Sequence, residues 1–353
     1  MKTPLLYVLH SGNLYGTERM ALATLAGLQD CFEPVLFAPP GPALAEAGRL
    51  GFAHAAFNSP QEFARRLRPH LAASPRLAFF ATGVVHSLIF LGWNLLYRRP
   101  AVHLHMVHGG TDERDSYGRK KLLNRTGVIF VAVSAFVRER LIANGVRAEQ
   151  IRVIENFLPE RQIQTVPRRG AFATAGVRRI VVVSRIDPIK RVDLLLDALD
   201  RQPELNALSI RILGTGWELE TLRERARRRH PNVTFVGFTP HVPEELAAAD
   251  LLLHLCPVEP FGLAILEAMA AGVPVLVPDQ GGAGSLVEDG VSGRRFRADD
   301  LDDLVTQLEA LRQTPAVELN RLAAGGDRTL ATRFSEAARI ADYRRLLEEI
   351  DRG

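Results

Sequence analysis

Lysine is scarce in this chain of 353 residues, which has four lysines against 40 arginines. Three of the four lie in the first half, so Lys190 stands alone in the second. The formal net charge is only +4 and no long basic block occurs, which argues against a nucleic-acid partner. A lone lysine is as compatible with chance as with function, so Lys190 has to be judged from its neighbours.

Cysteine is also rare, and the two residues present, Cys31 and Cys256, are far apart. This spacing argues against a disulfide framework and against a cysteine-rich metal site. A reduced, cytoplasmic setting fits this composition. The first apolar run soon meets His10, Ser11 and Gly12, so it predicts a first strand rather than the core of a signal peptide.

Long apolar runs are lacking as well. The longest candidate, residues 83–99, includes His86 and Asn94, and it is shorter than the roughly 20 residues that a membrane-spanning helix needs. We expect a helix buried in a core, while Trp93 and the arginines that follow leave open a helix that rests on a membrane surface.

Short β-rich segments alternate with helical patterns in both halves of the chain, for example LLYVLH and RLAFFAT in the first and RRIVVVSR and PVLVPD in the second. Short buried strands between helices are typical of parallel βαβ units. We therefore predict an α/β protein with two doubly wound, Rossmann-like domains that face a central cleft. The first domain is placed at residues 1–160 and the second at 161–335, with a linker over 155–176 and a C-terminal helix over 336–353.

Glycines follow two of these strands, but their spacing is not that of a dinucleotide-binding loop. Gly12 and Gly16 follow the first strand, and Gly214 and Gly216 follow LSIRIL, with Leu219 where G-x-G-x-x-G needs its third glycine. A nicotinamide cofactor is therefore disfavoured. A phosphate site at Gly16 and an ordinary strand-to-helix turn remain alternatives.

The loop after RRIVVVS carries Arg185 and Lys190. A guanidinium binds two phosphate oxygens at once and an ammonium adds a compact charge, so the pair suits a diphosphate. A solvated capping loop is the alternative.

Two carboxylates in residues 258–278 stand beside apolar residues. Glu259 precedes Pro-Phe-Gly, and Glu267 lies within a predicted apolar helix, where burial without a partner is costly. A ribose diol is a suitable partner for Glu267. The backbone N–H groups of Phe261, Gly262 and Leu263 open this helix and suit an anion or a sugar hydroxyl.

The ordered series of motifs resembles the retaining glycosyltransferases of family four, which have the GT-B fold. The segments GTERMALATLAGL, VHG, VVSRIDPIKRVDLLLDAL and ILGTGWELETLRERA carry the resemblance, and EPFGLAILEAMAAGVPVLV resembles the E-x7-E signature, its most specific motif. The resemblance covers nearly the whole chain. It also implies that the C-terminal helix returns to the first domain.

Carried over by position, the resemblance implies that Arg185 and Lys190 hold the donor diphosphate. Glu259 would bind the donor sugar, Glu267 the ribose hydroxyls, and His108 the donor sugar near the reacting carbon. The other implied donor-binding residues are Gly16, Gly214, Val236, Gly237, Phe238, Phe261, Gly262 and Leu263.

The implied reaction moves a glycosyl group from a UDP-, GDP- or ADP-sugar to a hydroxyl of a sugar or lipid-linked acceptor, with retained configuration. Polysaccharide, lipopolysaccharide or glycolipid assembly is the family's common role, which allows a peripheral contact with the inner face of the cell membrane. No metal and no cofactor are expected, since cationic side chains neutralise the leaving group. Asp300-Leu-Asp302 is predicted to cap a helix rather than bind a metal.

The chain departs from the family pattern at Phe157, where Gly is common after Asn156, at Ser285, where Glu is common, and at Thr17, where a second Gly is common. These departures concern the interdomain loop, a loop near the sugar and the phosphate pocket. His103 and His105 alternate along a strand and are interpreted as packing or hinge residues, while His10 and His86 are candidates for the acceptor side.

Two other functions remain open. A nucleotide-sugar epimerase of the same architecture would pair the cleft with acid-base carboxylates, and a non-catalytic partner subunit would only bind sugar. The charged loop residues favour transfer over both.

Overall fold

The computed structural model describes residues 2–110 and 112–352. The chain divides into two compact units. Unit 1 comprises the chain up to Phe157 and again from Glu336, and unit 2 comprises Leu158–Ser335. The observed division thus falls three residues before the predicted boundary between residues 160 and 161.

Unit 1 is built on a parallel sheet of seven strands in the described residues, in the order β3-β2-β1-β4-β5-β6-β7. The strands are β1 (Thr3–Val8), β2 (Phe32–Ala38), β3 (Ala53–Ala56), β4 (Leu77–Ala81), β5 (Ala101–Val107), β6 (Ile129–Ala132) and β7 (Ile151–Val153). The α-helices between them are α1 (Gly16–Leu28), α2 (Pro42–Arg49), α3 (Pro60–Ala73), α4 (Val84–Tyr97), α5 (Glu113–Ser116) and α6 (Ala135–Ala143), with 3-10 turns at Gly118–Leu123 and Ala148–Gln150.

Unit 2 has a parallel sheet of six strands within the described part, in the order β10-β9-β8-β11-β12-β13. Its strands are β8 (Arg179–Val183), β9 (Ser209–Leu213), β10 (Val233–Gly237), β11 (Leu251–Leu253), β12 (Val275–Pro278) and β13 (Arg294–Phe296). Its α-helices are α7 (Glu160–Thr165), α8 (Val192–Arg201), α9 (Leu219–Arg229), α10 (Val242–Ala248), α11 (Leu263–Ala270), α12 (Gly281–Leu286), α13 (Leu301–Gln313) and α14 (Ala316–Arg333), with 3-10 turns at Pro188–Lys190 and Pro203–Ala207.

Both sheets are doubly wound, as predicted, because their central strands are apolar on both faces. All five residues of β4, LAFFA, are buried between β1 and β5. The strand order reverses between β1 and β4 in unit 1, and between β8 and β11 in unit 2. Ligands of such sheets bind beyond the carboxyl ends of the strands at this reversal, so the loops that follow these four strands are where function is expected.

The C-terminal helix α15 (Glu336–Arg352) belongs to unit 1, where it packs beside α1. Arg344 Nη2 is 2.7 Å from Asp30 Oδ2, and a Cβ on Gly27 of α1 would lie 2.4 Å from Ile340 Cδ1. These contacts hold the end of the chain against the first helix.

One local prediction changed in detail and another was confirmed. The predicted linker contains a short helix, α7, which the sequence did not reveal because it has little apolar periodicity. Asp300 caps α13 by accepting a hydrogen bond from the backbone N–H of Asp303 at 2.9 Å, as predicted.

Helix α4 buries one face only. His86, Ser87 and Phe90 are buried, whereas Leu95 and Leu96 are 75% and 71% exposed. The prediction of a core helix is therefore right for one side of α4. Within the described residues, every helix is too short or too polar to cross a membrane.

Candidate functional site

The centre of the candidate site in unit 2 is an ion pair between Lys190 and Glu259. Lys190 ends the 3-10 turn that follows β8, and Glu259 lies in the loop between β11 and α11. Lys190 Nζ donates to Glu259 Oε2 at 2.6 Å, and each side chain is only 16% exposed. The strand reversal thus joins two residues that are 69 positions apart in the sequence.

The electrostatics of this pair favour two charged partners. Burial disfavours the charged form of Lys190, but the Glu259 carboxylate outweighs burial and raises the pKa of the lysine. Burial also opposes the charge of Glu259, yet Lys190 and His254 hold the pKa of this carboxyl well below its usual range. A fixed ammonium is therefore present at the strand ends before any ligand arrives.

His254 was missed by the sequence reasoning. It follows the buried strand β11, and its Nε2 atom lies 3.5 Å from Glu259 Oε2. The available signal was a histidine directly after the apolar run LLL, at the end of a predicted strand. The Glu259 carboxylate therefore has two neighbours, the ammonium of Lys190 and the imidazole of His254.

Arg185 lies beside the pair without joining it. Its guanidinium binds Asp187 Oδ2 at 2.7 Å, and its side chain is 66% exposed. The positive charge of Arg185 disfavours the charged form of Lys190, which indicates that the two cations lie near one another. Because the Arg185 guanidinium is exposed, it can exchange its bond to Asp187 for a bond to an anion that reaches Lys190.

Glu267 lies on helix α11. Its Oε1 atom accepts a hydrogen bond from Gln162 Nε2 at 3.2 Å, and the residue is half-buried. Gln162 belongs to α7, which the sequence did not reveal. One hydrogen-bond partner of this carboxylate is therefore an amide.

The loop that carries Glu259 is held by neighbouring segments. The carbonyl of Glu259 accepts from Gly282 N at 2.6 Å. Phe261 is buried and packs edge-to-face on Phe334, with ring centroids 5.8 Å apart. Gly262 then caps α11, which begins at Leu263. This packing fixes the backbone of the predicted sugar-binding segment.

The predicted nucleotide pocket is assembled from the ends of β8, β9 and β10. Gly214 has φ +132°, and a Cβ there would lie 1.9 Å from Ser184 O, so this close approach requires glycine. Gly214 N donates to Gly237 O at 2.8 Å, which brings the Val236-Gly237-Phe238 segment to the same edge. Trp217 and Phe238, which follow these loops, are 86% and 76% exposed and offer rings on which a planar base can stack.

In unit 1, the loops after β1, β4 and β5 surround a cavity of about 650 Å³. His10 and His108 line it, and His10 Nδ1 lies 2.8 Å from Thr82 Oγ1. Burial, with a smaller contribution from His10, lowers the pKa of His108 to about 4, so its imidazole is neutral at pH 7. His86 also lines the cavity. Gly16 is the first residue of α1, directly after the loop that follows β1.

His103 and His105 lie outside the cavity lining. Both are buried and both hydrogen-bond Ser87 Oγ, at 3.0 Å and 2.9 Å respectively. Among the residues whose side chains the structure describes, no three of His, Cys, Asp or Glu are grouped to hold a metal ion. The roles of His108 and of the unit 2 residues towards a ligand stay predictions.

Comparisons with known proteins agree with this architecture. A family model described as glycosyl transferases group 1 matches residues 170–327, and one described as glycosyltransferase family 4 matches residues 15–161. D-inositol 3-phosphate glycosyltransferase of Rhodococcus erythropolis is 36% identical over 46% of this chain and 40% of its own length. The lipopolysaccharide core biosynthesis glycosyltransferase LpsE of Rhizobium meliloti is 28% identical over 60% of this chain and 61% of its own length. The chain thus spans about half the length of these curated relatives.

Two solved structures share the fold over almost their full length. HepE of Anabaena, crystallised with UDP and glucose, has a TM-score of 0.80 at 21% identity, with 98% of this chain and 99% of HepE covered. The lipopolysaccharide outer core galactosyltransferase WaaB has a TM-score of 0.77 at 17% identity, with 98% and 99% covered. At these identities the likeness establishes the GT-B fold. The two family models, which together match most of the chain, mean that it belongs to the group 1 glycosyltransferases of the family-4 type.

Proposed function

We propose that this chain is a metal-independent, retaining glycosyltransferase that moves a sugar from a nucleotide sugar to an acceptor hydroxyl. The observation that carries the proposal is the largely buried Lys190–Glu259 ion pair at the strand reversal of unit 2. Relatives named for lipopolysaccharide core and inositol phosphate transfer, and a structural neighbour that holds UDP, support it.

The proposed mechanism starts from the state of Lys190. Without a donor, Glu259 keeps the ammonium charged and in place. When a nucleotide sugar binds, its diphosphate takes over Lys190 and the exposed Arg185 turns towards the same oxygens. As the bond between the anomeric carbon and the diphosphate breaks, these cations stabilise the charge that develops on the leaving group.

Glu259 has a second role in this proposal. Once Lys190 contacts the diphosphate, the carboxylate accepts hydrogen bonds from hydroxyls of the donor sugar. Glu267 does the same for the ribose, in exchange for its bond to Gln162. In this proposal the two carboxylates thus bind the two sugars of the donor, while the loop segment 261–263 contacts them through its backbone.

The proposed partners are a UDP-, GDP- or ADP-sugar and a sugar or lipid-linked acceptor of polysaccharide, lipopolysaccharide or glycolipid assembly. The exposed apolar side chains on α4 support a peripheral contact with a membrane. The cationic loop makes a divalent ion unnecessary for leaving-group stabilisation.

The test begins with calorimetric binding of UDP, GDP and ADP in the presence of EDTA, followed by release of the nucleoside diphosphate from the matching glucose donor. We expect one nucleotide to bind and its sugar to be hydrolysed slowly without added metal. Lys190→Met should weaken binding by about tenfold to a hundredfold, because a charge-assisted contact is lost. Lys121→Met, at an exposed lysine in unit 1, serves as the control and should bind as wild type.

Three results would overturn the proposal. The first is formation of an epimeric nucleotide sugar with no release of diphosphate, which would make the chain an epimerase. The second is binding without turnover of any donor. The third is a transferred sugar whose anomeric proton coupling shows inverted configuration.

A further inference from the structure

The inference concerns His254, the buried histidine that directly follows strand β11. Its side chain is 6% exposed, and its Nε2 atom lies 3.5 Å from Glu259 Oε2. Within the part of the chain that the structure describes, this nitrogen has no hydrogen-bond partner. Burying a polar atom without a partner costs free energy, so the position of this nitrogen calls for an explanation.

The carboxylate oxygen beside His254 is already bound by a cation. Lys190 Nζ donates to Glu259 Oε2 at 2.6 Å, a short charge-assisted hydrogen bond. An ordinary N–H to oxygen hydrogen bond is about 2.9–3.0 Å long, so the His254 imidazole stops about 0.5 Å short of one. One oxygen of Glu259 thus has a bound ammonium and a histidine nitrogen just beyond hydrogen-bonding length.

The backbones of both residues are fixed, so side chains must close this gap. The backbone N–H of His254 donates to Leu276 O at 2.9 Å, which extends the pairing of β11 with β12. The carbonyl of Glu259 accepts from Gly282 N at 2.6 Å, and a Cβ on Gly281 would lie 3.1 Å from Glu259 N. A small rotation of the Glu259 carboxylate is therefore enough to bring Oε2 to the imidazole.

Donor binding removes the competing cation. In the proposed mechanism, the donor diphosphate draws Lys190 away from Glu259. The Glu259 side chain is only 16% exposed, and a largely buried carboxylate that loses its cation is costly unless another donor replaces it. Burial raises the pKa of this carboxyl, while Lys190 and then His254 lower it. The imidazole is therefore placed to bind the oxygen that Lys190 leaves.

Resting on the proposed transferase function, we propose that His254 is a positioning residue that exchanges with Lys190 on Glu259. In the free protein, Lys190 holds the carboxylate. In the donor-bound protein the ammonium contacts the diphosphate, and the Nε2–H group of His254 donates to Glu259 Oε2. This bond holds the carboxylate in place and leaves its other oxygen available to the donor sugar. His254 itself contacts neither the sugar nor the diphosphate, so it acts through Glu259.

The exchange is tested first without any ligand, in a double-mutant cycle of unfolding. Lys190→Met removes the ammonium, as a bound diphosphate would, and His254→Phe keeps a ring but removes the N–H. We expect His254→Phe to lower the folding equilibrium constant at least about tenfold more in the Lys190→Met background than in the wild type, a coupling of about 1.4 kcal/mol. Urea unfolding followed by circular dichroism measures all four proteins.

His230→Phe is the matched control for this cycle. His230 is also a buried histidine of unit 2, and its Nε2 atom lies 3.0 Å from Asp200 Oδ1. It lies between α9 and β10, at the amino edge of the sheet rather than at the carboxyl edge that carries Lys190. The cost of His230→Phe should therefore be the same in the wild-type and Lys190→Met backgrounds.

The second test measures calorimetric binding of UDP, GDP and ADP in the presence of EDTA. For the nucleotide that binds, His254→Phe should weaken binding about tenfold, because Lys190 then leaves a carboxylate that nothing replaces. In the Glu259→Gln background, where no charge has to be held, His254→Phe should have no effect on binding. A merely structural role of His254 would weaken binding equally in both backgrounds. His254→Gln, which keeps an N–H donor, should recover part of the wild-type affinity.

Three outcomes would contradict the inference. The first is an equal cost of His254→Phe with and without the ammonium of Lys190. The second is an equal loss of nucleotide binding with and without the charge of Glu259. The third is no recovery in His254→Gln, which would mean that the site needs the packing of the ring. The unfolding cycle contains no nucleotide, so it succeeds or fails independently of diphosphate release and turnover, which decide the proposed function.

Discussion

At the scale of single residues, the Lys190–Glu259 pair couples ligand recognition to stability. Replacing Lys190 by Met leaves Glu259 as a largely buried carboxylate without its ammonium partner, with the Nε2 atom of His254 3.5 Å away. We expect the free energy of unfolding to fall by about 3 kcal/mol, at the low end for a broken buried pair because both side chains keep some contact with water. Urea unfolding followed by circular dichroism measures the loss.

The double variant Lys190→Met/Glu259→Gln separates the two roles of this pair. It removes both charges, so most of the lost stability should return. Nucleotide binding should not return, because the ammonium is still absent. A double variant less stable than Lys190→Met would contradict the prediction that an uncompensated carboxylate causes the loss.

The sequence predicted which loops carry charge, but not which side chains meet. Arg185, Lys190 and Glu259 could be placed at strand ends because strands and helices alternate regularly. The contact of His254 with Glu259 and that of Gln162 with Glu267 depend on how loops from different strands approach one another. No local pattern encodes that approach.

At the scale of elements, two helix glycines predict opposite effects of one substitution. A Cβ on Gly325 in α14 would lie 1.8 Å from Val291 O, whereas a Cβ on Gly92 in α4 would meet no atom within 4 Å. Gly325→Ala should therefore destabilise unit 2 by about 1–3 kcal/mol or more through overpacking. Gly92→Ala should stabilise its helix by about 0.5–1 kcal/mol. Thermal unfolding of both variants checks the prediction, and equal shifts would contradict it.

Three of the strands that the sequence did not reveal have physical features in common. The strands β3, β7 and β13 are sheet edges, and each is partly exposed and short. Edge strands need fewer apolar residues, so their pattern is weak. Helix α14 was missed because Gly325 and Gly326 interrupt a helical pattern, although in the structure they allow close packing beside Val291 and Met269. Central strands were predictable because burial on both faces leaves an apolar run.

At the scale of the whole molecule, the two units were predictable from the repeated alternation of strands and helices in each half. The chemical difference between the two units could not be predicted from the sequence. Buried histidines are concentrated in unit 1, where burial is the main cause of a pKa lowered to about 4 for His86, about 3 for His103 and about 4 for His108. His10, His70 and His105, also in unit 1, share this direction.

This difference predicts that acid unfolds unit 1 first. A histidine that stays neutral when folded, but has a pKa of about 6.5 when unfolded, favours the unfolded state as the pH falls below 6.5. Each of these three histidines should lower the free energy of unfolding by about 2 kcal/mol at pH 5.

Unit 2 should resist the same fall in pH. Burial likewise lowers the pKa of His230, but Asp200 opposes that shift. The stability that carboxylates with lowered pKa values, such as Glu259, give to the folded state is lost only below about pH 4.5. Hydrogen exchange at pH 7 and pH 5 should show protection lost in β4 and β5 while β8 and β11 keep theirs. His103→Gln should reduce the slope of unfolding free energy against pH. Simultaneous loss of protection in both sheets would mean that the units do not titrate separately.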